Sequence, residues 1–278
     1  TVWLNGEWFP ETEAKVSVFD RGLLFGQSVY EVVPVIAGRL LNMPYHQARL
    51  ANSLAMAEIV AETDWQAVFA ESVARNGLIE GRVYLQITAG SAGDRDFWLP
   101  DPAPPPTQIV FTQSAKLVDN PQAETGLKIV LRPDLRWQMR AAKTTQLLYA
   151  VLMKQEARAA GVDDAWLIEN GVITEGTSAN AYIIDARGVL VSHPVDHGVL
   201  PGVTRISVLD SARRLGVAVE ERPFTPADLF AASEAMVSAA GSLVLPVVEA
   251  DGRPIGQGQP GPITRAIRED YLAQLREI

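Results

Sequence analysis

The chain has 278 residues, of which 47% are hydrophobic and 21% charged, and its formal net charge is −9. That length allows two compact domains, and that balance describes a folded protein rather than a disordered or fibrous one. Its Lys and Arg are scattered, which argues against nucleic-acid and membrane-surface partners. The absence of cysteine excludes disulfides, thiolate metal sites and cysteine nucleophiles.

The opening stretch TVWLNGEWFP lacks a basic-then-apolar signal segment, and no apolar run is long enough to span a bilayer, so a cytoplasmic location is expected. Asn5-Gly6 between VWL and EWF predicts a hairpin. VYEVVPVI and RLLNM follow as a second apolar pair around Ala37-Gly38. Pro44 suits the first turn of a helix over 44–61. DWQAVFAESVARN reads as a second helix, with Asp64 as N-cap and Gly77 as stop. RVYLQITAG and TQIVFTQSA read as strands, separated by a loop that carries Asp94, Arg95 and DPAPPP. These elements predict a small α/β domain over residues 1–118.

The polar stretch DNPQAETG predicts an interdomain linker over 119–126. A larger domain, 127–278, then begins with the strand LKIVLRP, a helix from Thr144 and the hairpin AWLIE–NG–VITE. The hairpin AYIID–ARG–VLVS, the helix TRISVLDSARRLG, two apolar strand stretches and a closing helix PITRAIREDYLAQLREI complete it. The order mixes antiparallel hairpins with helices, so the predicted class is α+β (mixed α/β).

Four positions carry candidate chemistry. Lys143 in RAAKTT sits among small residues before an expected helix, whose dipole would favour a neutral, nucleophilic amine; most lysines are simply solvated. Gly202-Val203-Thr204 at a helix start could cradle a phosphate, or Thr204 could be an ordinary N-cap. Arg49 could fork onto the same phosphate, or face solvent. Glu175, at a strand end before Gly176, could meet a cofactor. Gly256-Gln-Gly258-Gln-Pro-Gly261 fits GxGxxG but lacks a following βαβ unit and reads as a loop. His193 and His197 are separated by Pro194, so no metal site is expected.

The stretch Glu175-Gly-Thr-Ser-Ala-Asn180-Ala-Tyr182, with LPGVTR following at matching spacing, resembles the class IV aminotransferase signature; Ser192 stands where that signature has threonine. RWQMRAAKTTQLL resembles the family's cofactor-lysine segment, FDRGLLFGQSVYEVV its N-terminal strand motif and PYHQARL its phosphate-arginine helix. The resemblance implies fold-type IV architecture with the cofactor between two domains, and a homodimer. It implies pyridoxal 5′-phosphate held by Lys143 as a Schiff base. Glu175 would pair with the pyridine nitrogen and Leu200 would pack on the ring. Arg49, Val203, Thr204 and residues near Ala240 would hold the phosphate.

Tyr30 and Val32 in VYEVV match D-amino-acid transaminases, a resemblance that implies Tyr30 as a substrate-binding residue; branched-chain enzymes have Phe-x-Gly there. Arg95 resembles the loop arginine that grips a substrate carboxylate. Phe97 replaces a histidine of that loop, Gln27-Ser28 replaces Asp-Gly, and Ala89 replaces a strand arginine. The implied reaction moves an amino group from a D-amino acid to pyruvate or 2-oxoglutarate. An R-selective amine transaminase, a branched-chain aminotransferase, an aminodeoxychorismate lyase and a non-catalytic cofactor-binding homologue stay open.

Overall fold

Asn5 and Gly6 both adopt positive φ, 51° and 99°, as a two-residue hairpin turn requires. They turn the chain from β1 (Val2–Leu4) into β2 (Glu7–Phe9). In this computed structural model residues 1–196 and 198–277 are described, and the chain divides into two units. The first comprises Thr1–Lys116 with Ala142–Gln146; the second comprises Leu117–Ala141 with Leu147–Ile278.

The first unit continues through α1 (Arg21–Phe25), β3 (Ser28–Ile36), β4 (Arg39–Leu40), α2 (Met43–Met56), α3 (Trp65–Arg75), β5 (Gly81–Thr88) and β6 (Gln108–Ser114). Its strands form one antiparallel sheet in the order β2-β1-β6-β5-β3-β4. Alternation along β3 buries Val29, Glu31, Val33 and Val35 on one face. Leu50 and Leu54 of α2 and Phe69 of α3 join the valines in the core. The opposite face stays partly open and carries an aromatic ladder: Tyr30 and Tyr84 have ring centroids 5.7 Å apart, and Tyr84 and Phe111 are 4.7 Å apart.

Asp64 caps α3 by accepting from the Ala67 N–H at 3.1 Å. The helix expected over 44–61 stops at Met56, and Glu58 takes φ 54° just beyond it. The helix expected from Thr144 begins at Leu148 instead. The residues before it run extended against β3: Tyr30 N donates to Lys143 O at 2.9 Å and Thr145 N to Ser28 O at 3.1 Å.

The second unit contains α4 (Gln122–Thr125), β7 (Leu127–Pro133), α5 (Leu148–Ala159), β8 (Asp164–Glu169), β9 (Val172–Gly176), β10 (Asn180–Ile184) and β11 (Leu190–Ser192). It continues with α6 (Val203–Arg214), β12 (Val219–Glu221), α7 (Pro226–Ala231), β13 (Glu234–Ala239), β14 (Leu243–Ala250), β15 (Arg253–Pro254) and α8 (Pro262–Glu277). The sheet order is β12-β11-β10-β13-β14-β7-β8-β9, with β15 on β14. Parallel pairs (β11–β12, β14–β7, β7–β8) sit beside antiparallel ones, so the mixed class is what the chain adopts.

Trp166 and Phe224 meet edge-on at 6.3 Å in the core of this unit, both fully buried. Burial of each contributes about 2–3 kcal/mol. The stretch 119–126, expected as a linker, instead contains α4 and groups with the second unit. The unexpected α7 is set by a capping box between Thr225 and Asp228.

Candidate active site

In the first unit α2 turns Met43, His46, Arg49, Leu50, Ser53 and Leu54 inward, three or four residues apart, so polar groups share the buried face with apolar ones. They meet Glu31, the carboxylate on the core face of β3. Arg49 Nε donates to Glu31 Oε1 and its Nη2 to Oε2, each at 2.7 Å. His46 Nδ1 lies 2.8 Å from Oε2. Burial alone would raise the Glu31 carboxyl, but the Arg49 charge, its hydrogen bonds and His46 outweigh it and bring it down to about 2. Burial also lowers His46, against the pull of Glu31. The structure thus places Arg49 within a buried ion pair that fixes its guanidinium plane, not on the surface.

Beside this cluster Lys143 N donates to Ser53 Oγ at 3.1 Å, and its carbonyl accepts from Tyr30 N. The backbone is therefore fixed on both sides. The amine stands 4.1 Å from the Tyr30 ring centroid, within cation–π distance. With α5 starting only at Leu148, the helix dipole expected to act on Lys143 is absent, since that effect is confined to the first turn.

In the second unit Glu175 is buried near the end of β9. Its Oε1 accepts from Arg136 Nη1 at 2.7 Å; its Oε2 accepts from Asn180 Nδ2 and Leu200 N, both at 3.2 Å. Arg136 is shared with Asp134, which it meets through Nε and Nη2. Burial raises Glu175 above the usual carboxylate range, with Arg136 opposing it. Asn180 also donates to Leu200 O at 3.0 Å, tying the acid to the chain that leads into α6.

Gly202 is the N-cap of α6, and among the described residues no side chain caps that helix start. Thr204 is thus a buried helical residue, not the cap. A Cβ at Gly202 would lie 1.9 Å from Asn180 Oδ1, so only glycine allows this approach. Ala240 lies in the turn between β13 and β14, two residues after Ser238, whose hydroxyl is 2.7 Å from that of Tyr182.

Arg95 is exposed in the β5–β6 loop. Its guanidinium lies over the Phe25 and Phe97 rings, 5.3 and 5.4 Å from their centroids; among the described residues it forms no ion pair with Asp94 or Asp96. Glu31, His46, Arg136 and Asn180 were not singled out for a role by the sequence reading. For Glu31 a signal existed, because strand alternation puts its carboxylate on the core face, where a charge needs a partner. Among the described residues no group of three or more His, Asp or Glu could hold a metal; His197 lies outside the described residues.

A fixed lysine amine, a buried carboxylate with a raised pKa and an uncapped helix start each suit one part of pyridoxal 5′-phosphate: its carbonyl, its ring nitrogen and its phosphate. Each group, within its own unit, fits the part of the cofactor it would meet.

Comparison with known proteins agrees. Residues 28–250 match the family model for amino-transferase class IV. The D-alanine aminotransferase of Bacillus licheniformis is 34% identical over 272 residues, covering 96% of this chain and 94% of that protein. That of Staphylococcus aureus (strain N315) is 34% identical over 275 residues, with coverage of 97% and 96%. A solved branched-chain amino acid aminotransferase from T.th., in complex with N-(5′-phosphopyridoxyl)-L-glutamate, superposes with a TM-score of 0.87. It is 27% identical, over 99% of this chain and 94% of that one. With its family model spanning most of the chain and relatives aligned almost end to end, the protein belongs to the class IV aminotransferases and is a pyridoxal 5′-phosphate-dependent enzyme.

Proposed function

We propose that the enzyme moves an amino group from a D-amino acid to a 2-oxo acid, pyruvate or 2-oxoglutarate, with Lys143 as the catalytic amine. The observation that carries the donor class is the likeness to D-alanine aminotransferases, 34% identical over nearly the whole chain. The bound cofactor supplies the electron sink that makes the substrate α-carbon acidic. Lys143 holds the cofactor covalently, then carries the proton removed from that carbon, and the Tyr30 ring steadies the amine while it is charged. Glu175 keeps the ring nitrogen protonated, held in position by Arg136 and Asn180. The N–H groups of Val203 and Thr204, with Arg49 and the Ala240 turn, hold the phosphate, and Leu200 packs on the ring. Arg95 takes the substrate carboxylate.

A homodimer is part of this reading. Leu148, Val151 and Leu152 of α5 are at least half exposed, an apolar stripe that a second copy would cover. No described helix is long and apolar enough to cross a membrane.

One observation favours a second reading, an R-selective amine transaminase. Arg95 rests on two aromatic rings, and a carboxylate must draw it away from them. A donor screen with D-alanine, L-leucine and R-1-phenylethylamine, pyruvate as acceptor, separates the readings. D-alanine is expected to lead; a lead for L-leucine, which the branched-chain structural neighbours make a fair rival, or for the amine replaces this proposal. Arg95→Ala should lower D-alanine efficiency roughly ten- to a thousandfold and leave the amine unaffected. Borohydride reduction followed by peptide mapping should label Lys143; a label on another lysine removes it from the chemistry.

A further inference from the structure

Arg21 is only 4% exposed, although it opens a five-residue helix, and no step above uses it. Among the described residues it pairs with no carboxylate. Its guanidinium is committed to backbone oxygens of one loop. Nη1 donates to the carbonyls of Asp96 at 2.8 Å and Trp98 at 3.4 Å, and Nη2 to that of Phe97 at 3.0 Å. Gln27 Oε1 accepts from Nε at 2.7 Å and sets the plane of the fork. Three successive carbonyls turned toward one guanidinium define the backbone over residues 96–98.

The stem of the loop is tied to the same short helix. Arg21 N donates to Gly90 O at 2.8 Å, and Thr88 Oγ1 donates to Asp20 Oδ2 at 2.9 Å while accepting from Gly90 N at 3.0 Å. Phe25 supplies a ring shared by Arg21 at 4.9 Å, Arg95 at 5.3 Å and Phe97 at 5.2 Å. Away from α1 the tip has little to hold it: the Arg95 and Trp98 N–H groups donate only to the nearby carboxylates of Asp94 and Asp96, and Phe97 and Trp98 are 75% and 83% exposed.

We propose that Arg21 is a positioning residue that locks this loop, presents the Arg95 guanidinium and thereby sets the apparent affinity for carboxylate-bearing donors. The inference rests on Arg95 as the carboxylate group. Lysine cannot replace Arg21, because an ammonium has neither the planar fork nor the Nε–H that Gln27 braces.

The test compares the Arg21→Ala and Arg21→Lys holoenzymes, each alone and combined with Arg95→Ala. Amide exchange of residues 94–98 should be at least about tenfold faster in both Arg21 variants, since the loop loses its long-range ties. KM for D-alanine should rise roughly tenfold with kcat within about twofold, the signature of lost binding rather than lost chemistry. Any activity on R-1-phenylethylamine should hold. Added to Arg95→Ala, the Arg21 change should cost nothing further, because both act through one guanidinium. If Arg21→Ala does not fold, Arg21→Lys supplies every readout. Unchanged loop exchange, equal losses on both donors, or a full extra loss in the Arg95→Ala background overturns the Arg21 inference alone. If Arg95→Ala by itself leaves D-alanine kinetics intact, the carboxylate reading falls and this inference falls with it.

Discussion

Two buried glutamates, one in each unit, have been driven in opposite directions. Glu31 is brought down to about 2, whereas Glu175 is raised above the ordinary carboxylate range. Burial opposes ionisation in both, so the difference lies in the partners. Glu31 takes two hydrogen bonds from a single arginine and meets a histidine as well. Glu175 takes one bond from an arginine that also serves Asp134, and two longer bonds from neutral amides. A carboxylate gripped on both oxygens by one guanidinium, with a histidine beside it, has its charge well met. One that shares its cation keeps an unmet electrostatic need, and a protonated ring nitrogen can meet it.

The sharpest way to break this comparison is to remove the cation from the Glu31 pair. Arg49→Leu leaves Glu31 buried and uncompensated and should lower stability by about 3–5 kcal/mol in denaturant titration; adding Glu31→Leu should recover much of that, because apolar pairs often replace buried ion pairs at little cost. A small loss in the single variant would show that Glu31 does not depend on that cation. Glu175→Gln should behave differently. Its stability should stay near that of the wild type while turnover falls about a hundredfold, equivalent to ~2.7 kcal/mol, with the cofactor still bound. Wild-type turnover in that variant removes Glu175 from the ring nitrogen.

Acid sharpens the contrast further. The Glu31 contribution is complete above its unfolded value of 4.5 and is lost as pH falls toward about 2, at no more than ~1.4 kcal/mol per pH unit. For Glu175 the sign reverses: the folded state takes up its proton more readily than the unfolded one, so falling pH relieves the cost of keeping it charged. Melting temperatures of the wild type, Glu31→Gln and Glu175→Gln across pH 2–6 should show the first variant with a flatter acid limb and the second with a steeper one. Parallel curves would erase the distinction. The smallest expected effect belongs to Asn180→Ala, which removes one of the two hydrogen bonds to Glu175 Oε2 and the one to the Leu200 carbonyl. Cofactor affinity by fluorescence titration should fall roughly fivefold, about 1 kcal/mol.

Legibility followed the range of the interactions. The Asn5-Gly6 hairpin and the Asp64 cap are local devices, and both stand where the residues announced them. α1, α4 and α7 are four to six residues long, too short for a periodic apolar pattern, and α7 could have been found only through Thr225 and Asp228. Thr144 onward has a helical composition, so the sequence puts Lys143 at a helix start; pairing with β3, far away in sequence, overrides that tendency. The ion pair of Arg49 was out of reach for a similar reason. Its partner Glu31 lies on another element, and only the alternation of β3 hints that this carboxylate points inward.

The return of Ala142–Gln146 to the first unit also bears on how the chain is made. During synthesis β3 and α2 leave the ribosome long before the segment that hydrogen-bonds Tyr30, Ser28 and Ser53. Until then the Tyr30 N–H and the Ser28 carbonyl have no strand partner on that side, and Lys143 itself has not yet been made. The first unit therefore completes itself only after much of β7 and the chain beyond it has emerged. A nascent or truncated chain ending at Lys116 would expose an unfinished strand edge, the kind of surface on which chaperones act.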